Sequence, residues 1–133
     1  MIFDIKILGY INIFEKFTRA RVKDCFIDDG VLTFIVFQGD LGKALGKKGE
    51  TLRKVSAKFK KKIKLIEFNS NQQKFTQNLV YPIKPEVAVT DEKIIIKAKN
   101  NFEKGKIFGR DKENYKKLKV LIKKYFKKEL ILE

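Results

Sequence analysis

The chain has 133 residues, and its 31 Lys and Arg against 16 Asp and Glu leave a net charge of +15 with no histidine. An apolar content of 44 % supports a buried core and excludes global disorder. There is no apolar run long enough to span a membrane, no cleavable signal sequence and a lone cysteine, Cys25; the expectation is a soluble cytoplasmic protein without disulfides or a membrane partner.

Residues 5–17 carry apolar side chains at Ile7, Ile11 and Phe14, and again at Tyr10, Ile13 and Phe17. Both spacings fit a helix that is apolar on most sides and therefore largely buried, with Gly9 working against it. Residues 20–28 read as a strand through Val22, Cys25, Phe26 and Ile27; Asp28-Asp29-Gly30 is a turn signal, and 31–37 form a second strand, making a hairpin. Cys25 fits a half-buried strand position, since a thiol nucleophile needs a base and the chain has no histidine.

Gln38-Gly39-Asp40 breaks the second strand. Leu41, Ala44 and Leu45 then fall at i, i+3 and i+4, and Leu52, Val55 and Phe59 at i, i+3 and i+7. These are helical stripes on either side of Gly46-Lys47-Lys48-Gly49, so the spacing predicts a short helix, a four-residue turn and a second helix. Glycine admits backbone angles that a Cβ forbids and removes side chains that would block close approach. The following helix points its unpaired N–H groups and positive dipole end back at the turn, which with Lys47 and Lys48 at its tip suits a phosphate backbone. Residues 61–68 close the first half as a strand, Ile63 and Leu65 alternating with lysines.

Ser70-Asn71-Gln72-Gln73 is a Ser-x-x-Gln capping box that opens a helix carrying Phe75 and Leu79. Tyr81-Pro82 ends that helix, and Pro85 keeps the next segment extended. Strands follow at 87–90 and 93–98 around Asp91-Glu92, then a short helix at 101–108, a longer one at 113–125 with Tyr115, Leu118, Ile122 and Tyr125 on one face, and a terminal strand at 130–132.

The second half thus repeats the order of the first: helix, strand, strand, helix, loop, helix, strand. Gly109 follows Gly46 by 63 residues, and on the same offset Phe108 matches Leu45, Tyr115 matches Leu52, Leu118 matches Val55 and Ile122 matches Phe59. The boundary is placed near Asn69, giving units 1–69 and 70–133. The second loop, Gly109-Arg110-Asp111-Lys112, departs from the first. Asp111 sits where a phosphate would pass, and the Cβ of Lys112 is expected to limit the turn, while Arg110, Lys112, Lys106 and Lys116 partly compensate as attractors. The first loop is therefore taken as the main clamp.

The charge is local. Residues 43–64 hold ten basic residues and one acid, Glu50; residues 104–128 hold eleven basic residues and two acids; the remainder holds ten basic and thirteen acidic. Two positive patches fit polyanion binding, against the alternative of two solvated helix faces. Scattered acids, no histidine and one cysteine leave no metal cluster or catalytic pair, so no enzyme, cofactor or small-molecule substrate is expected.

An aliphatic residue, Gly-x-x-Gly and a second aliphatic three residues on, between two helices flanked by strands, resembles the RNA-binding loop of KH domains, which clamps four nucleotides by their backbone. The tandem order resembles the paired KH domains of NusA-type transcription factors, and among them the short archaeal NusA-like proteins. The residues that carry the likeness are Tyr10-Ile11-Asn12-Ile13-Phe14-Glu15-Lys16-Phe17-Thr18 before Arg21-Val22-Lys23-Asp24-Cys25, and then Gly39-Asp40-Leu41-Gly42-Lys43-Ala44-Leu45-Gly46-Lys47-Lys48-Gly49. The resemblance implies an α+β fold of two tandem KH-type (type II, NusA-like) units, each a small three-stranded sheet covered by helices with its loop between two helices. It implies binding of single-stranded RNA in transcription elongation, termination or antitermination, with RNA polymerase as a further partner. Gly46, Lys47, Lys48 and Gly49 would hold phosphates, Lys43, Arg53 and Lys54 would add field, and Leu45 and Leu52 would line an apolar groove for bases; Lys106, Gly109, Arg110 and Lys112 are the corresponding candidates in the second unit. KH units also occur in ribosomal and ribosome-assembly proteins, so rRNA remains an alternative target. The basic amphipathic helix at 113–126 would suit docking on a protein or membrane surface, but its apolar face is needed for the second core.

Overall fold

A computed structural model describes residues 5–28 and 30–133. The chain divides into two compact units, Met1–Asn69 and Ser70–Glu133. Asp29, in the expected hairpin turn, lies outside the described residues.

In the first unit, α1 (Ile5–Thr18) precedes the antiparallel pair β1 (Val22–Asp28) and β2 (Val31–Val36). Next come α2 (Leu41–Leu45), a 3₁₀ turn at Lys47–Gly49, α3 (Glu50–Phe59) and β3 (Lys62–Glu67). β3 pairs parallel to β2, in register from Val31 opposite Lys62 to Val36 opposite Glu67, so the sheet order is β1-β2-β3. A parallel pair needs a crossover, and here α2, the turn and α3 supply it. The loop that the sequence singles out is therefore the bend in that crossover. As the central strand, β2 buries Leu32, Thr33, Phe34, Ile35 and Val36.

The second unit repeats this with α4 (Gln72–Val80), β4 (Glu86–Val89), β5 (Lys93–Lys97), α5 (Asn101–Phe108), a 3₁₀ turn at Arg110–Lys112, α6 (Glu113–Phe126) and β6 (Glu129–Leu132). Its sheet order is β4-β5-β6, antiparallel then parallel. The expected α+β organisation holds in both units. The 63-residue offset holds through Ile122 and then breaks. α3 has 10 residues and α6 has 14, so one extra helical turn separates the matching left-handed caps Lys60 and Lys127.

Aromatic rings centre the first core. Phe14 of α1 stacks on Phe34 at 4.0 Å between centroids, and Tyr10 meets Phe59 edge-on at 5.0 Å. Ile7, Tyr10 and Ile11 pack around this cluster. Contrary to the largely buried helix that its composition predicts, α1 is exposed along part of its apolar surface. Leu8, Ile13 and Phe17 are each at least 40 % exposed, because a single sheet face covers only one side of α1. In the second core, Phe75 meets Tyr125 at 5.7 Å and Phe126 at 5.9 Å, both edge-on. Cys25 is fully buried rather than half-buried, and burial, with Asp24 adding to it, pushes its thiol up to about 12. A thiol so held is inert as a nucleophile.

The start of α4 corrects a second expectation. Asn71, not Ser70, is the N-cap, its Oδ1 accepting from Lys74 N at 3.0 Å. No capping box forms, since N3 is then Lys74, and Gln73 instead donates from Nε2 to Val87 O at 2.9 Å, tying α4 to β4. Asn100 caps α5 in the same way, accepting from Glu103 N at 2.9 Å.

Phe34 joins α1, the central strand and α3 in one stack, so Phe34→Ala should lower stability by about 3–5 kcal/mol. Chemical denaturation of the full chain checks this.

Candidate nucleic-acid interface

Asp40 sets the entry to the crossover. It stands at the N-cap of α2, yet its carboxylate makes no cap bond. Oδ2 accepts instead from Arg21 N at 2.8 Å and Arg21 Nε at 3.3 Å, and Oδ1 lies 3.7 Å from Lys43 Nζ. The Arg21 N–H bond, opposed by desolvation and reinforced by the Arg21 side chain and Lys43, holds the carboxyl below the usual carboxylate range. A neighbouring tie runs from Gly39 N to Glu67 Oε2 at 3.1 Å.

The turn itself is a sequence of unusual backbone states. Gly46 has φ 72° and ψ 177°, a region essentially open to glycine alone. Lys48, at φ 55° and ψ 29°, and Gly49, at φ 72° and ψ 14°, are left-handed. Gly46 N donates to Gly42 O at 2.9 Å and Gly49 N to Gly46 O at 3.1 Å. Glu50 N donates to Lys47 O. Among the described residues, the turn's backbone bonds come from the N–H groups of Gly46, Gly49 and Glu50 and none from those of Lys47 or Lys48. A Cβ on Gly46 would sit 2.6 Å from Thr51 Cβ and closer still to Thr51 Oγ1, whereas one on Gly49 would meet only Arg53 Nη1 at 3.4 Å. The first glycine is thus fixed by both angle and space, whereas at the second the left-handed angle favours glycine without requiring it.

The second loop has the same backbone. Gly109 has φ 71° and ψ 178°, Asp111 φ 54° and ψ 28°, and Lys112 φ 59° and ψ 19°. The expected limit from the Lys112 Cβ is overturned: its left-handed state is one that a residue with a Cβ can occupy. Gly109 faces Asn114, 63 residues after Thr51, at 2.7 Å from an added Cβ to Asn114 Cβ. What separates the loops is side-chain chemistry, Asp111 standing where the first loop has Lys48.

The predicted residues fall into distinct situations. Lys47 and Lys48 are exposed at the first tip. Lys43 is exposed but partnered by Asp40, and Arg53 Nη1 donates to Lys48 O at 2.7 Å, so Arg53 braces the turn. Lys54 pairs with Glu50, the patch's single acid, at 3.2 Å. Leu45 and Leu52 are half-buried beside the turn. In the second unit Arg110 is exposed, Lys112 Nζ lies 5.5 Å from the Phe108 ring centre and Lys106 Nζ lies 4.8 Å from that of the exposed Phe102. Sequence reasoning missed Thr51 and Asn114, the residues pressed against the first glycine of each loop; their common 63-residue offset was the available signal. Among the described residues, no group of three His, Cys, Asp or Glu could hold a metal ion, and no helix is long and apolar enough to cross a membrane.

Two crossover bends of this geometry, each between paired helices over a three-stranded sheet, invite comparison with known proteins. The sequence pattern of the KH domain family matches residues 9–81, more than half of the chain. The chain belongs to the KH domain family.

Among relatives of this KH chain, a protein of Methanococcus vannielii is 43 % identical over 76 residues, covering 57 % of this chain and 44 % of the relative. One of Methanocaldococcus jannaschii is 40 % identical over 73 residues, covering 55 % and 40 %. One of Thermoplasma acidophilum is 25 % identical, covering 92 % and 88 %. Each is named "Probable transcription termination protein NusA". The match thus spans less than half the length of the first two relatives, and the expected likeness to archaeal NusA-like proteins holds. The crystal structure of APE1850 superposes with a TM-score of 0.70 over 98 % of this chain and 100 % of its own, at 24 % identity, which bears on the fold alone.

Gly46→Ala should destabilise the chain by about 1–3 kcal/mol, and Gly49→Asn by less than about 1 kcal/mol, measured by denaturant titration. Asp40 has a lowered folded pKa, so its stabilisation is present above the unfolded value near 3.9 and fades as pH falls through the folded one. Asp40→Asn should therefore lower stability at neutral pH and narrow the gap to the parent on acidification, read from melting curves at several pH values.

Proposed function

We propose that this chain binds single-stranded RNA through the turn at Gly46, Lys47, Lys48 and Gly49, and acts in the cytoplasm on transcription elongation, termination or antitermination by binding rather than catalysis. The observation that carries the reading is the turn's architecture. Two exposed lysines and two N–H groups unused within the turn share one tip, and the glycine before them leaves the chain bare. Anionic oxygen is the ligand that such a tip accommodates. A phosphodiester strand presents those oxygens in series, and contact with them fixes position without reading sequence. Leu45 and Leu52, half-buried beside the turn, offer bases an apolar neighbour. The names of the archaeal relatives carry the transcription role to this chain, with RNA polymerase as the partner that native-complex pull-down would identify.

Because the second loop shares the first loop's backbone but not its charge, the two make unequal contributions in this reading. Asp111 sets a carboxylate among the positions that would approach a phosphate, so the first loop is the stronger grip.

Engaging about four phosphates should make log affinity fall with a slope near −3 against log salt. Lys47→Asp combined with Lys48→Asp should weaken binding of a short oligouridylate at least about tenfold with an unchanged circular dichroism spectrum. Equal affinity in parent and double variant, both folded, removes the loop from the reading.

A further inference from the structure

The second unit carries a positive surface distinct from its loop. A groove of ≈ 590 Å³ runs along the C-terminal half of α6 and the start of β6, lined by Lys119, Val120, Lys123, Lys124, Lys127 and Lys128, with Glu129 as the acid among its lining residues. The cations are not equally available. Lys128 Nζ donates to Thr90 O at 2.7 Å, and Lys124 Nζ lies 5.5 Å from the Tyr125 ring centre. Lys119 Nζ lies 5.3 Å from the Tyr115 ring centre, a contact that leaves its charge uncompensated. Among the described residues, no carboxylate forms an ion pair with Lys119, Lys123 or Lys127.

Lys119 and Lys123 stand at i and i+4, about 6 Å apart along the helix axis, and Lys127 follows as the left-handed cap that ends the helix. That interval is comparable to the repeat of phosphates along an extended single strand. The groove also lies where the repeat breaks. The extra helical turn in α6 lengthens the helix before its left-handed cap at Lys127, and Lys123 and Lys124 fall within this lengthened end. With Asp111 in its loop, the second unit has an acid at the place where the first unit has Lys48, and uncompensated cations on the far end of the same helix.

We infer that the groove along Lys119, Lys123 and Lys127 is a second binding surface for single-stranded RNA, holding phosphates beyond the few that the first loop grips. It extends the proposed function and rests on it. The groove offers charge without an arginine fork or an exposed ring among its lining residues, so it contributes affinity and length of footprint rather than base preference. Of the two polyanions that lysines attract, RNA is favoured over an acidic protein segment by the row of point charges along the groove, which suits a repeating phosphate backbone.

The test uses the full chain with Lys119→Gln, Lys123→Gln and Lys127→Gln together, the first two at exposed helix positions where glutamine is a good helix former and the third at the exposed cap. Circular dichroism and a melting curve establish that the variant is folded. Oligouridylates of six and twenty nucleotides are the probes, titrated at several salt concentrations. The inference expects the six-nucleotide probe to bind parent and variant alike. It expects the twenty-nucleotide probe to lose about tenfold in affinity and its salt slope to become shallower by about 2 in the variant. An unchanged twenty-nucleotide affinity and slope in the folded triple variant, while Lys47→Asp with Lys48→Asp still weakens binding, overturns the groove and leaves the loop standing. Failure of the parent to bind either probe overturns both. Polyglutamate binding the parent more tightly than the long RNA, and losing that binding in the triple variant, assigns the groove to an acidic protein segment and overturns the RNA assignment.

Discussion

The whole interface depends on one backbone requirement. To leave α2 and start the next helix at once, the chain must pass through a conformation that only glycine occupies, with the following helix pressed against its bare Cα. Gly46 and Gly109 meet this requirement with φ and ψ values that agree within 1°, and both face a residue of the next helix too close to admit a Cβ. That contact turns the chain sharply, and Lys47 and Lys48 stand exposed at the bend. It also explains why the two halves of the chain agree on this glycine and on little else in the loop.

Every other position in the turn is less constrained. The fourth residue is left-handed, a state in which glycine is comfortable and a longer side chain is tolerated at modest cost. Lys112 occupies it where the first unit has Gly49. The third residue is left-handed in both loops and is a lysine in one and an aspartate in the other. Backbone geometry and ligand chemistry are therefore separable here. The crossover needs the first glycine and the sheet pairing, whereas the charge at the tip is free to differ.

Much of this was legible in the sequence, for identifiable reasons. Apolar periods on both sides of Gly46 forced a bend, because Leu41–Leu45 and Leu52–Phe59 each need a core face and one straight helix would bury neither fully. The β-branched and aromatic run of β2 beside the Asp28-Asp29-Gly30 turn signal pointed to the hairpin, and the 63-residue offset to the second unit. Three things were hidden. The exposure of α1 depends on how much of a helix a three-stranded sheet can cover, which periodicity does not report. The α4 cap lies at Asn71 rather than Ser70, and Gln73 has a tertiary partner in Val87 O, which a local capping pattern cannot see. The geometry of the second loop was misjudged because loss of a glycine was read as loss of the conformation. The dihedral class decides that question: Gly46 occupies a state forbidden to other residues and Gly49 does not.

The same separation bears on how the charge is distributed. In the first unit, several of the basic residues nearest the loop are engaged by it: Lys43 with Asp40, Arg53 with Lys48 O, and Lys54 with Glu50. These contacts hold the turn's shape and leave Lys47 and Lys48 to define its outward field. In the second unit the corresponding brace at the first glycine is Asn114, whose Nδ2 donates to Ile107 O at 2.9 Å, a neutral bond that requires no cation near the tip. Lys116 pairs with Glu113 at the start of α6, and the longer helix carries Lys123 a full turn further from the loop. A unit whose turn is braced by Arg53 and a unit whose turn is braced by Asn114 can share a backbone while presenting their positive surfaces at opposite ends of equivalent helices.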